Sequence, residues 1–269
     1  MAIKITDNIV VGEKLLLLSG PCSAESEEIC MRTAEFLKGL TEKYDVNYVF
    51  KASFDKANRS SVDSFRGPGL DEGLKLLQKV KDQFELPVVT DIHEASQATA
   101  IAEVADIIQV PAFLCRQTDL LVAVGKTGKV INIKKGQFVA PEDMLNAVNK
   151  VKSTGNENVM LCERGTTFGY HNLVVDMRSL AIMKELGTPV VFDATHSVQR
   201  PGGLGSCSGG DREFVAPLAR AAAAVGIDAL FMEVHPNPDE AKCDGPNSLG
   251  FKLAEEVLRS VKEIYELTK

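Results

Sequence analysis

The sequence has no tryptophan, four tyrosines and only 6% aromatic residues. It lacks a GxGxxG run, so the usual dinucleotide-binding turn is missing. No apolar stretch approaches the roughly 20 residues that a membrane helix needs. A basic excess is also absent: 30 Lys plus Arg stand against 37 Asp plus Glu, a net charge of −7. Nucleic-acid binders carry a basic patch or stripe, so nucleic acid is not an expected partner, and neither is a membrane. The opening MAIKITDNIVVGEK has no apolar segment after a basic start, and therefore does not read as a secretory signal. The six cysteines (Cys22, Cys30, Cys115, Cys162, Cys207, Cys243) include no CxxC pair. In a chain of this length they read as reduced thiols, and a cytoplasmic location is expected.

What is present is an ordinary globular composition, 45% hydrophobic and 25% charged over 269 residues. Short β-branched runs alternate with amphipathic stretches from end to end. The expected strands are Leu15–Ser19, Tyr48–Ala52, Pro87–Asp91, Ile107–Val110, Val130–Ile133, Val159–Glu163, Val190–Asp193 and Leu230–Glu233. All are near-continuously apolar, as strands buried on both faces should be. The expected helices are Glu27–Lys43, Leu70–Phe84, Ala95–Glu103, Asp119–Thr127, Pro141–Ser153, Leu173–Leu186, Arg212–Val225 and Leu249–Leu267. Eight strand–helix repeats in about 250 residues predict an α/β fold, the (β/α)8 TIM barrel, with a doubly wound open sheet as the alternative. The first residues, with a turn at Asp7-Asn8, predict a hairpin over 1–12 closing the bottom of a barrel over 13–269. The whole chain, 1–269, reads as one domain.

Barrel chemistry gathers at the carboxyl ends of the strands. There the sequence places Lys51, Lys56, Arg59, Arg116, Lys134 and Arg164, six cations on one rim of an acidic protein. Arg and Lys suit phosphate and carboxylate, so a multiply anionic ligand is implied. Asp91 and His93 end the third strand, and Gln109 lies in the fourth. Cys22, His196, Glu233 and Asp244 come from the ends of strands one, seven and eight, which are neighbours in a closed barrel. A thiolate, an imidazole and two carboxylates suit Zn2+, Fe2+ or Mn2+, although each of these residues has an ordinary structural role open to it. Five glycines in the Gly202–Gly210 stretch and its surroundings mark a candidate lid.

The run KASFDKANRSS (Lys51–Ser61) is specific. With GPCSAES (Gly20–Ser26), IIQVPAFLCRQTDLL (Ile107–Leu121), NIKKGQF (Asn132–Phe138), LCERGTTFGYHNLVVDMRSL (Leu161–Leu180), FDATHSVQ (Phe192–Gln199) and EVHPNPDEAKCDGP (Glu233–Pro246), it resembles the 3-deoxy-D-manno-octulosonate-8-phosphate synthase (2-dehydro-3-deoxyphosphooctonate aldolase) family over almost the whole chain. A related family, the heptulosonate-phosphate synthases, typically carries a KPR-type motif at the second strand instead. The resemblance implies condensation of phosphoenolpyruvate with arabinose 5-phosphate and water, giving the eight-carbon keto-sugar acid phosphate and inorganic phosphate, on the route to lipopolysaccharide. By position, Lys51, Lys56, Lys134 and Arg164 would hold phosphoenolpyruvate, beside Gln109 and the backbone near Ala112 and Phe113. Asn58, Arg59 and Ser60 would hold arabinose 5-phosphate, and Arg116 and Gln199 complete the implied substrate-binding set. Lys51, Lys56, Asn58, Asp91 and His196 are the implied catalytic residues, with Asp91 and His196 as candidates for moving protons. A homotetramer is implied, with the neighbouring subunit completing the sugar-phosphate site. Cys22 matches the metal-dependent branch of the family, making Cys22, His196, Glu233 and Asp244 ligands for a divalent ion. The KCDGP around Asp244 looks more like the metal-independent branch. Other readings are a Schiff-base aldolase using Lys51 or Lys134, a heptulosonate-phosphate synthase acting on erythrose 4-phosphate, and a non-catalytic sugar-phosphate-binding barrel.

Overall fold

The structure is a computed structural model that describes residues 3–59, 61–203 and 208–269. Ser60 and Cys207 lie outside the described residues, as does the middle of the expected lid. Eight strands close into one parallel barrel: β1 (Leu16–Gly20), β2 (Asn47–Lys51), β3 (Val88–Asp91), β4 (Ile107–Val110), β5 (Val130–Lys134), β6 (Val159–Glu163), β7 (Val190–Asp193) and β8 (Ala229–Glu233). Neighbours in the chain are neighbours in the barrel, and β8 returns to β1 with Glu233 opposite Gly20. The helices that follow are α1 (Glu27–Tyr44), α2 (Leu70–Phe84), α3 (Ala98–Val104), α4 (Thr118–Gly125), α5 (Met144–Lys152), α6 (Arg178–Glu185), α7 (Val215–Val225) and α8 (Phe251–Thr268). This is the expected (β/α)8 barrel. No helix among the described residues is long and apolar enough to cross a membrane.

Most differences from expectation are at helix starts. The α6 pattern was expected from Leu173, but Leu173–Val174 pairs antiparallel with Thr166–Thr167 as a small hairpin on the rim. Its β-branched residues favour extended backbone, and Leu173 is buried there. Pro141 sits in turns just before α5 rather than within the helix. Before α3 and α7, 3-10 turns at Ala95–Gln97 and Arg212–Phe214 occupy the first residues of the expected helices.

Strand side chains alternate in direction, and that alternation builds the site. One set (Leu15, Leu17, Phe50, Ile108, Ile133, Leu161, Phe192, Leu230) packs outward in the core shared with the helices. The other set (Leu16, Leu18, Val49, Val89, Ile107, Val130, Met160, Cys162, Val191, Ala229, Phe231) fills the barrel interior. Two residues beyond several of these inward positions come Lys51, Asp91, Gln109, Asp193 and Glu233. The inward column therefore changes from apolar to ionic toward the carboxyl ends.

The opposite end is closed as expected. Lys4–Thr6 and Ile9–Val10 pair antiparallel, and Ile3 and Val11 join the interior cluster against Leu16, Ile107 and Val130. At the carboxyl end the strands approach closely: a Cβ added at Gly20 would lie 2.1 Å from the Lys51 carbonyl oxygen, so only glycine fits.

Candidate active site

The carboxyl ends of the strands enclose a cavity of about 240 Å3, lined among others by Lys51, Lys56, Asn58, Arg59, Lys134 and Arg164. Five of the six cations expected on this rim thus meet in one place. Arg116 does not join them. The 3-10 turn Ala112–Leu114 carries the chain away, and Arg116 lies exposed beside Cys115, Phe138 and Lys150 in a separate surface depression, where Lys150 Nζ donates to its carbonyl at 2.8 Å. Ala112 and Phe113 remain on the cavity wall.

The cations have buried anionic partners. Lys51, 1% exposed, donates to the Cys22 carbonyl (3.0 Å) and to Glu233 Oε1 (3.1 Å), and stands 3.8 Å from Asp91 Oδ2. Lys134 donates to Asp193 Oδ2 at 2.6 Å, and its ammonium lies 4.1 Å from the centre of the Phe231 ring. That ring floors the ionic layer, and attraction between cation and ring face adds to the ion pair. Lys56 and Arg59 are looser, each 3.9 Å from a carboxylate oxygen (Glu233 and Asp244 respectively). Burial favours neutral forms throughout. It is outweighed for Asp91, held well below the usual carboxylate range by Lys51, Lys56 and Lys134, and for Asp193, held low by His196 and Lys134. Lys56 and Lys134 are likewise held above their ordinary values by the surrounding carboxylates, Glu233, Asp91 and Asp244 acting on Lys56 and Asp193 on Lys134.

Beneath Lys51, Asp91 is fixed by Ser53 Oγ and by Gln109 Nε2 (2.6 Å), while Asn132 Nδ2 donates to Gln109 Oε1 at 2.9 Å. Register alone aligns these three, since Asp91 pairs with Gln109 and Gln109 with Asn132 across β3, β4 and β5. Gln109, fully buried, supports the floor of the site.

Cys22, His196, Glu233 and Asp244 also come together. Cys22 Sγ donates to Asp244 Oδ2 at 3.2 Å, and His196 Nε2 lies 3.5 Å from Glu233 Oε1 and 3.8 Å from Asp244 Oδ2. Two groups of three have donor atoms within 4.8 Å of one another: His196, Glu233 and Asp244, and Cys22, Cys243 and Asp244. These residues fit a divalent ion. Glu233 Oε2 is buried with no hydrogen-bond partner, and His196 Nδ1 faces Asp193 Oδ2 at 2.8 Å, which turns Nε2 toward the cluster. The Cys22 thiol is pushed well above its ordinary value by burial and by Glu233, so ligation would release its proton.

The family model described as the DAHP synthetase I family matches residues 1–269. The chain belongs to that family. Among its relatives, the 2-dehydro-3-deoxyphosphooctonate aldolase of Desulfatibacillum aliphaticivorans is 61% identical over 93% of this chain and 92% of the relative. The proteins of the same name from Fusobacterium nucleatum (58%, covering 97% and 95%) and Francisella tularensis subsp. holarctica (60%, covering 96% and 94%) are similarly close. The resemblance carried by KASFDKANRSS is thereby borne out: within the DAHP synthetase I family, this chain stands with the octulosonate-phosphate enzymes.

Asp193, which joins Lys134 to His196, is not among the site residues expected from the sequence, and neither are Ser53, Gln137 and Cys243. Asp193 had a signal in the sequence, a charged residue at the carboxyl end of the expected strand Val190–Asp193.

Proposed function

We propose that the chain condenses phosphoenolpyruvate with D-arabinose 5-phosphate and water to give 3-deoxy-D-manno-octulosonate 8-phosphate and inorganic phosphate. The observation that carries this reading is the cation set Lys51, Lys56, Arg59, Lys134 and Arg164 around one cavity. Within it, Arg59 Nε and Arg164 Nη1 are buried without a hydrogen-bond partner. Buried guanidinium donors left unpaired are costly, and phosphate or carboxylate oxygens would satisfy them.

In this reading Lys51, Lys56, Lys134 and Arg164 hold the carboxylate and phosphate of phosphoenolpyruvate. Asn58, Arg59 and Ser60 hold arabinose 5-phosphate. C3 of phosphoenolpyruvate forms a bond to the aldehyde carbon, whose oxygen takes a proton, and water adds at C2 with loss of one. The resulting hemiketal phosphate breaks its C2–O bond to release phosphate. Fixed cations around the cavity would balance the charge that develops, without reorganising. Asp91, kept ionised by Lys51, Lys56 and Lys134, is a weak base that holds these cations in place around the substrates. His196 moves protons only where a metal leaves its Nε2 free. A divalent ion (Mn2+, Fe2+ or Zn2+) bound by Cys22, His196, Glu233 and Asp244 supplies a Lewis acid beside the cavity.

A Schiff-base aldolase would need an uncharged lysine, and Asp193 holds Lys134 in its charged form. We further infer a cytoplasmic homotetramer serving lipopolysaccharide synthesis. Phe113, Phe138 and Phe168 are all more than half exposed, and association of like chains would cover such side chains. The test is phosphate release from phosphoenolpyruvate with arabinose 5-phosphate or erythrose 4-phosphate as acceptor. Faster release with arabinose 5-phosphate is expected; preference for erythrose 4-phosphate would assign the chain to the heptulosonate reaction.

A further inference from the structure

Gln199 joins the two halves of the site. Its Oε1 accepts from Arg164 Nη2 at 2.8 Å, and its Nε2 donates to Asp244 Oδ1 at 2.9 Å. A guanidinium only donates and a carboxylate only accepts, so the carboxamide has one workable orientation, and among the described residues no third group bonds to it. Its backbone is held as well. Gln199 follows the 3-10 turn His196–Val198 and pairs with Gly210 in a short antiparallel ribbon. At one end of this link, Arg164 is buried, its backbone N–H donates to Glu163 Oε1 at 3.0 Å, and its Nη1 is unpartnered. At the other end, the link occupies Asp244 Oδ1 and leaves Oδ2 facing Cys22 Sγ and His196 Nε2.

We propose that Gln199 is a positioning residue that couples anion binding at Arg164 to divalent-metal binding at Asp244, so that each tightens the other. The proposal rests on the reading of the site given above. An anion meeting Nη1 fixes the guanidinium plane, which fixes the carboxamide, which holds the Asp244 carboxylate with Oδ2 presented to the metal. Coupling is reciprocal, so metal binding must strengthen anion binding by the same factor. Direct attraction between ligand and metal charges contributes a background that does not pass through Gln199. The inference concerns the part that does.

The experiment measures Mn2+ affinity from free-ion electron paramagnetic resonance, with and without saturating phosphoenolpyruvate, in the full chain and in Gln199→Met. Methionine is similar in length but joins neither partner. Phosphoenolpyruvate should tighten Mn2+ binding by about tenfold in the natural chain, within the usual range of coupling. In Gln199→Met that factor should fall at least threefold while both ligands still bind. Gln199→Glu, able to accept from Arg164 but repelling Asp244, should also lose coupling and should weaken Mn2+ binding more than methionine does. An equal coupling factor in all three proteins would overturn the proposal. So would a uniform weakening of both ligands with an unchanged ratio, because that describes a merely structural residue. Failure of phosphoenolpyruvate to affect Mn2+ in the natural chain would also overturn it. Phosphate release measured on the same preparation separates the two readings: coupling without release would sink the proposed reaction and leave the coupling standing, whereas release without coupling would do the reverse.

Discussion

Asp193 Oδ2 accepts from Lys134 Nζ at 2.6 Å at the carboxyl end of the barrel, and the same oxygen faces His196 Nδ1 at 2.8 Å. One buried carboxylate thus ties a cation of the cavity to a candidate metal ligand. Asp193→Asn keeps the shape but removes the charge and offers His196 the wrong partner. Groups that orient a ligating histidine are typically worth 10–100-fold in metal affinity or activity. A loss of about that size is expected in both, by metal titration and by phosphate release. An unchanged metal affinity would show that Asp193 serves Lys134 alone.

The pH dependence of stability has two limbs with different causes. Asp91 and Asp193 have folded-state values depressed by nearby cations. Their contribution is complete above about pH 4, the range of unfolded aspartates, and is lost as pH falls toward the folded values. Burial pushes the Cys30 thiol up to about 12 and also raises Cys162. Above about pH 8.5 the unfolded thiols ionise while the folded ones do not, so stability falls as pH rises. Burial lowers the His93 value, so unfolding takes up a proton below about pH 6.5 and stability still rises through that range. The thermal midpoint of the chelated protein should therefore peak between about pH 7 and 8 and decline on both sides, and a midpoint still rising above about pH 9 would contradict this account.

Gly20→Ala tests the close approach of β1 to β2. The added Cβ would sit 2.1 Å from the Lys51 carbonyl oxygen, so the backbone must move. Overpacking of this kind costs about 1–3 kcal/mol. Lys51 sits on the displaced strand, so phosphate release should fall along with the denaturation midpoint. Full activity in a destabilised protein would mean that Lys51 tolerates the shift.

Glu163 supports the neighbouring cation from outside the cavity. Its Oε1 accepts from the backbone N–H groups of Arg164 (3.0 Å) and Gly165 (2.6 Å), and its Oε2 accepts from Ser179 Oγ at 2.6 Å and lies 3.6 Å from Lys135 Nζ. Glu163→Ala leaves three donors short of an acceptor and the buried Lys135 ammonium, still bonded to Thr166 Oγ1, without its carboxylate, a loss of about 3–5 kcal/mol. Chemical denaturation checks the magnitude, and a change below about 1 kcal/mol would contradict it.

The order of elements, the closed barrel and the bottom hairpin were legible from apolar runs and helical spacing. The direction of each strand side chain was not, because strands buried on both faces show no alternation in the sequence. Lys134 and Lys135 are adjacent, and spacing alone does not say which of them faces inward. One lines the cavity, while the other is buried outside it against Glu163. The same ambiguity separates Arg164 from Glu163. Five of the six cations were legible but their charge balance was not: they seemed to await anions, whereas Asp91, Asp193, Glu233 and Asp244 already meet most of them. Arg116 was misplaced because a three-residue 3-10 turn, invisible to periodicity, sends the chain out of the rim.

The most direct test of the central claim is phosphate release from phosphoenolpyruvate plus arabinose 5-phosphate before chelation, after it, and after Mn2+ is added back. The account predicts release that requires both substrates, is lost to the chelator and returns with the ion. Cys22→Ala should fail to recover. Release indifferent to chelation would contradict a working metal at Cys22, His196, Glu233 and Asp244, and no release under any condition would contradict the proposed reaction itself.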